Sequence, residues 1–230
     1  MRPVPLGLPV ETQMFGFQVL KAVVVAGALA LMAGASAAAT IGFERITSNS
    51  PIDGSSQLQG NASDHGATVQ IVFEVLAGAQ GGANITEIYF SDLLGLFTPP
   101  PVYVAHTGNV VFEFGGNNTP PELPGANGAD PAFVTTAGLV AEASGNNATG
   151  ITVGESLTIS LNFAVDFDFN DFLAALENGD FRVGLHVRSL ADGQSDAFVS
   201  EPAAVPVPAA GFLLIGALGG IAALRRRRHV

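Results

Sequence analysis

The chain has 230 residues, 9 basic against 20 acidic ones for a formal charge of −11, and neither cysteine nor tryptophan. That length fits one ordinary domain plus targeting segments, and the missing cysteines exclude disulfides, thiol catalysis and thiolate metal sites without arguing against export. Residues 40–224 hold only Arg45, Arg182 and Arg188 against 19 acids, a formal charge of about −16, which makes nucleic acid a poor partner and leaves a cation or a neutral glycan as better ones.

At the front, Lys21 is followed by AVVVAGALALMAG and then ASAAAT. A positive charge, an apolar run and a small-x-small site are the three parts of a secretory signal peptide. Cleavage is expected after Ala37, with Ala35 and Ala37 as the small residues, and as a second choice after Ala39, so residues 1–39 are assigned to the leader. Three prolines and Glu11 in the first thirteen residues fit a leader poorly, and translation is expected to begin at Met14.

Residues 40–200 show short apolar runs separated by Gly, Asn, Asp and Pro. TVQIVFEV and SLTISLNFAVDF alternate with the half-buried strand period, and NITEIYF, PVYVAH, NVVFEF, AFVTTAGLVAEA and FRVGLHVRSL are further strand candidates. IGFERI and DAFVS would be the first and last strands, making about eight or nine. Residues 115–131 and 144–150 have the composition of loops. One helix is predicted in NDFLAALENG, with Asn170 or Asp168 as N-cap, Phe172, Leu173 and Leu176 on one face, and Gly179 as the stop. The expected fold is all-β, an antiparallel, jelly-roll-like β-sandwich with one short helix, flanked by an N-terminal signal helix and a C-terminal transmembrane helix.

Few residues of the body suggest chemistry. Asp166, Asp168, Asn170 and Glu177 stand at positions one, three, five and twelve of a calcium loop, but Asp171 replaces the glycine of its sharp turn, and Phe167 and Phe169 look like strand core. A strand end followed by a capped helix explains the same residues. His106 and His186 fall singly in strand-like runs, and Ser189 and Ser195 lack a nucleophile-elbow pattern. No catalytic residue, resident metal or cofactor is therefore assigned.

The chain ends VPVPAAGFLLIGALGGIAALRRRRHV. Pro206 and Pro208 hold the motif Val205, Pro206, Val207, Pro208, Ala209 extended after a linker from residue 201. Residues 209–224 form an apolar run which, as a helix, spans about 24 Å against a hydrocarbon core of about 30 Å. Arg225, Arg226, Arg227 and Arg228 begin the basic tail of residues 225–230, and fix that end on the cytoplasmic side. In order, spacing and terminal position these elements resemble the C-terminal sorting signal of the PEP-CTERM class in its VPLPA variant, with Val207 where that variant has Leu. The resemblance implies recognition by an exosortase, a membrane processing enzyme that cuts near the proline motif, in Gram-negative bacteria that export polysaccharide. More loosely, ITEIYFSDLLGL, PPELPGANGADPAFVTTAG and NGDFRVGLHVRSLADGQSDAFVS resemble exported domains that precede such tails.

The expectation is thus a non-enzymatic protein, exported by its leader, transiently held in the membrane by its C-terminal span, and sorted to the cell surface or extracellular matrix for a structural or adhesive role. The alternative is a lectin-like module that binds extracellular polysaccharide through loops such as residues 115–131, and a more distant one is a secreted hydrolase using paired acids.

Overall fold

The computed structural model describes residues 38–77, 82–115, 122–137, 139–144, 149–190 and 192–202. Residues 1–37 of the expected leader, the sorting motif, the apolar run and the basic tail lie outside them. Among the described residues no helix is long and apolar enough to cross a membrane.

The body is an all-β sandwich of two antiparallel sheets. One has five strands in the order β1 (Ala38–Ile41), β3 (Leu58–Asp64), β4 (Thr68–Val75), β9 (Ser156–Phe163), β6 (Phe97–Thr107). The other has six, in the order β2 (Phe43–Arg45), β11 (Asp196–Ser200), β10 (Phe181–Arg188), β5 (Asn84–Asp92), β8 (Val140–Ala143), β7 (Phe112–Phe114). Consecutive strands share a sheet only at β3/β4, β7/β8 and β10/β11, so every other connection crosses the core. The first edge is shared: the chain runs along the five-stranded sheet as β1, turns at Gly42, and continues in the six-stranded sheet as β2.

The alternation in TVQIVFEV places Val69, Ile71, Phe73 and Val75 in the core and leaves Thr68, Gln70, Val72 and Glu74 half-buried on the outside. β5 behaves differently: every residue from Ile85 to Asp92 is buried, because Ile88 and Phe90 face the core while Tyr89 lies under a covering loop on the other side. Phe supplies the aromatic packing: Phe181 meets Phe90, Phe97 and Phe172 at centroid distances of 5.9, 5.2 and 5.3 Å.

Helix α1 (Phe169–Asn178) joins β9 of one sheet to β10 of the other and closes one end of the sandwich with Phe169, Phe172, Ala175 and Leu176. Asp168 is the N-cap: its carboxylate accepts from the backbone N–H groups of Asn170 and Asp171 at 2.7 and 3.2 Å. Asp171 reciprocates by accepting from the Asp168 N–H at 2.9 Å, which completes a capping box. Gly179 stops the helix in left-handed backbone. Asp168→Ala removes an acceptor from two N–H groups and lowers the melting temperature by a few degrees, whereas Asp168→Asn keeps most of the cap. A pair of thermal melts checks this.

Three expectations are corrected. The described residues hold eleven named strands rather than eight or nine, since β3 was not foreseen and IGFERI splits in two. Phe167 and Phe169 are not in a strand; Phe169 opens α1 with its ring in the core, and Phe167 packs against the core from the preceding turn. AFVTTAGLVAEA forms β8 only over its last four residues, and its start belongs to the loop that covers β5.

Candidate functional site

Among the described residues a polar cluster lies on the outer face of the six-stranded sheet. Cross-strand register sets Glu87 of β5 opposite His186 of β10 and Glu142 of β8, and sets Glu142 opposite Glu113 of β7. Glu87 is the hub. Its Oε2 accepts from the Tyr89 hydroxyl at 2.6 Å and from the Nδ1–H of His186 at 3.0 Å, while Oε1 receives Arg188 at 3.4 Å. Burial alone would push the Glu87 carboxyl up, but the hydrogen bonds from His186 and Tyr89, with the nearby His186 and Arg188, outweigh it and hold the group below the usual carboxylate range. Burial and the Glu87 carboxylate together push the Tyr89 phenol far up, so it stays a donor. Glu142 is pushed up, first by burial and then by Glu87 and Glu113.

Two carboxyls driven in opposite directions are the usual mark of an acid and base pair. Here, however, three donors already occupy Glu87, and Tyr89 beside it is fully buried. Other buried acids are spent in the same way. Asp92 accepts from the backbone N–H groups of Leu96 and Phe97, each at 2.9 Å. Asp196 accepts from the Thr47 hydroxyl at 2.7 Å and from the Asn49 and Ser50 N–H groups at 2.8 and 3.2 Å, with Arg45 3.5 Å away. These carboxylates hold loops in place.

Beside the cluster, residues 122–137 lie over the sheet as a lid. Leu123, Ala126, Ala129 and Phe133 pack on Tyr89, Val140, Ala197 and Val199. Gly184 of β10 leaves room for this cover, because a Cβ there would come within 2.8 Å of Leu123 and 3.0 Å of Phe133. Arg182, itself buried, donates to the Pro131 carbonyl at 2.6 Å and lies 5.7 Å from the Phe133 ring centre. Burial lowers its pKa, with Glu44 and Asp130 acting in the opposite sense. Arg182, Glu44, Asp130 and Pro131 border a shallow cleft of about 100 Å³ together with the C-terminal end of α1, Ser200 and Pro202. Of the described part of residues 115–131, Leu123, Ala126 and Ala129 pack as this cover, while Glu122, Asn127, Asp130 and Pro131 are exposed.

Asp166, Asp168, Asn170 and Glu177 do not form a calcium loop. Asp168 is committed to the helix cap, Glu177 lies two turns along α1, and no group of three or more His, Cys, Asp or Glu side chains among the described residues is placed to hold a metal ion. His106 is exposed and shares a 2.8 Å hydrogen bond with Tyr103, whereas His186 belongs to the Glu87 cluster. Ser189 is an exposed turn residue with a φ of 56°, and the Ser195 carbonyl accepts from Asn49. Sequence reasoning passed over Glu87, Tyr89 and Arg182. The available signal was an acid inside the apolar run NITEIYF, since a carboxylate there needs dedicated partners. Ala35 and the residues of the sorting motif and arginine cluster lie outside the described residues, as does Ala37. No family model, curated protein or solved structure matches the chain.

Proposed function

We propose that the chain is a non-enzymatic exported protein, delivered across the inner membrane by its leader, held transiently by residues 209–224, and processed by an exosortase at Val205 to Ala209 for a structural or adhesive role at the cell surface or in the extracellular matrix. The observation that carries this reading is Ala39, buried in β1 and paired with Ala62 of β3, which favours a cut before it. Cleavage after Ala39 would remove Ala38 and the buried Ala39 from β1, whereas cleavage after Ala37 keeps both. At the other end β11, the last strand among the described residues, finishes at Ser200, five positions before Val205. The commitment of Glu87, Asp92 and Asp196 to internal hydrogen bonds favours a role without catalysis, and the repeated crossings between sheets favour the jelly-roll kind of sandwich.

Intact-mass analysis of surface and culture-supernatant fractions of the native host tests the proposal. A species beginning at Ala38 and ending between Val205 and Ala209, with or without added mass, is the expected result. A mature species that still carries Arg225 to Arg228 would make the tail a permanent anchor and overturn the processing step, and a chain found uncleaved in the cytoplasm would overturn export.

A further inference from the structure

The two outer faces of the sandwich differ in kind. The six-stranded face carries the Glu87 cluster, Glu44, Glu113 and Arg182, and part of it lies under the lid. On the five-stranded face, the outward positions of β3, β4 and β9 are filled by Ser, Thr, Asn and Gln, with Val72 as the apolar member and Glu74 as the one ionisable group. No lid residue packs in either core cluster against this face.

Register turns these side chains into rows. Gln70 stands between half-buried Ser63 and Ser160, the latter only 8% exposed, and the row continues to Val102, an edge residue 46% exposed. Thr68, Asn162 and Thr98 form a second row, and Asn61, Val72 and Thr158 a third. Part of the array is held by its own hydrogen bonds: Asn61 donates to Glu74 at 2.8 Å and accepts from Gln59 at 2.9 Å. Neighbouring rows and strands repeat at about 7 Å and about 4.8 Å.

We infer that this face binds an uncharged polysaccharide chain laid across the strands. Its amides and hydroxyls both donate and accept, which matches a polymer of hydroxyl groups, and Val72 and Val102 offer apolar ground for the C–H faces of sugar rings. The acidic body selects against polyanions, because like charges repel the ligand before contact. A protein strand would pair with a sheet edge, whereas this surface is the middle of a sheet whose backbone groups are already used. With no aromatic platform on the face, each contact is weak, and binding depends on repetition along the polymer. This gives the polysaccharide alternative a definite site, away from residues 115–131, and it rests on that alternative rather than on processing of the tail.

Affinity electrophoresis of the full chain, solubilised in a detergent without a sugar headgroup, tests the inference with dextran, mannan and laminarin as neutral probes and alginate as the acidic one. The expected result is retardation by at least one neutral polymer, little by its short oligosaccharides, and none by alginate. Gln70→Glu with Asn162→Asp adds two charges with little change of shape and weakens the retardation roughly tenfold or more, a loss of about 1.4 kcal/mol. Glu142→Gln on the opposite face leaves it unchanged. Should the double variant melt well below the parent, Thr158→Lys, at a half-buried position, replaces it with the same expectation. Absence of retardation by every neutral probe, equal retardation of a folded charged variant, or a concentration-dependent dimer abolished by that variant would each overturn the inference. None of these results bears on export, which the mass measurement decides separately.

Discussion

Replacing Phe181 with alanine lowers the unfolding free energy by roughly 3–5 kcal/mol, the cost of deleting a buried aromatic ring and leaving a cavity. Phe181 is fully buried at the first position of β10, where α1 hands the chain to the six-stranded sheet. Its ring stacks on Phe90 of its own sheet, meets Phe97 of the opposite sheet edge-on, and meets Phe172 of the helix edge-on. These neighbours are rigid rings held by separate elements, so none can collapse into the space without moving its own element. The chain contains no cysteine, hence no disulfide restrains its unfolded state. Domains of this kind hold about 5–15 kcal/mol in total, so the substitution removes a large share of it. Urea unfolding of the parent and of Phe181→Ala measures the difference, and Leu93→Ala, at a position 59% exposed, serves as a control expected within about 0.5 kcal/mol. A loss below about 1 kcal/mol would mean that the four rings are not a shared core.

How legible such features were in the sequence depended on whether one residue or a distant partner decided them. TVQIVFEV matched β4 from end to end because its side chains alternate in size and polarity without interruption. The helix was equally plain, with a capping aspartate, an apolar face and a glycine stop within twelve residues, although the choice between Asp168 and Asn170 needed the geometry of the cap. β3 escaped notice because after Leu58 its inward side holds only Gly60 and Ala62, and Gly60 leaves room for Ile41 of β1. The covering role of residues 122–137 was hidden for a related reason. Glycine and proline made the segment look like an open loop, while its few apolar residues are spaced for an irregular lid rather than for a strand or helix. The Glu87 cluster was visible only as an acid in an apolar run. His186, 99 positions further along the chain, became its partner through strand pairing. Charge segregation between the two faces likewise depends on register, which composition does not contain.

Glu87→Gln is expected to cost roughly 2–4 kcal/mol at neutral pH, because it removes the charge from an acceptor that serves a buried tyrosine, a mostly buried histidine and an arginine. The amide keeps the shape and one acceptor oxygen, but its NH₂ faces a donor. The pH dependence separates this from a packing effect. Since the folded Glu87 carboxyl lies below its ordinary value of 4.5, its ionised form stabilises the fold fully above that value and loses its contribution as pH falls through the lower folded value. Glu142 has the opposite sign. Its carboxyl is pushed up by burial and by Glu87 and Glu113, so its ionised form costs stability at neutral pH, and the cost is relieved as pH falls through the raised value toward 4.5. Glu142→Gln is therefore expected to stabilise the protein at pH 7 and to have little effect once both states are protonated, whereas the penalty of Glu87→Gln fades only in more acid solution. Denaturant unfolding of the parent and the two variants between pH 7 and the acid limit of folding measures both slopes. Parallel curves for Glu87→Gln and the parent across that range would show that its carboxylate carries no ionic contribution and that shape alone holds the cluster together.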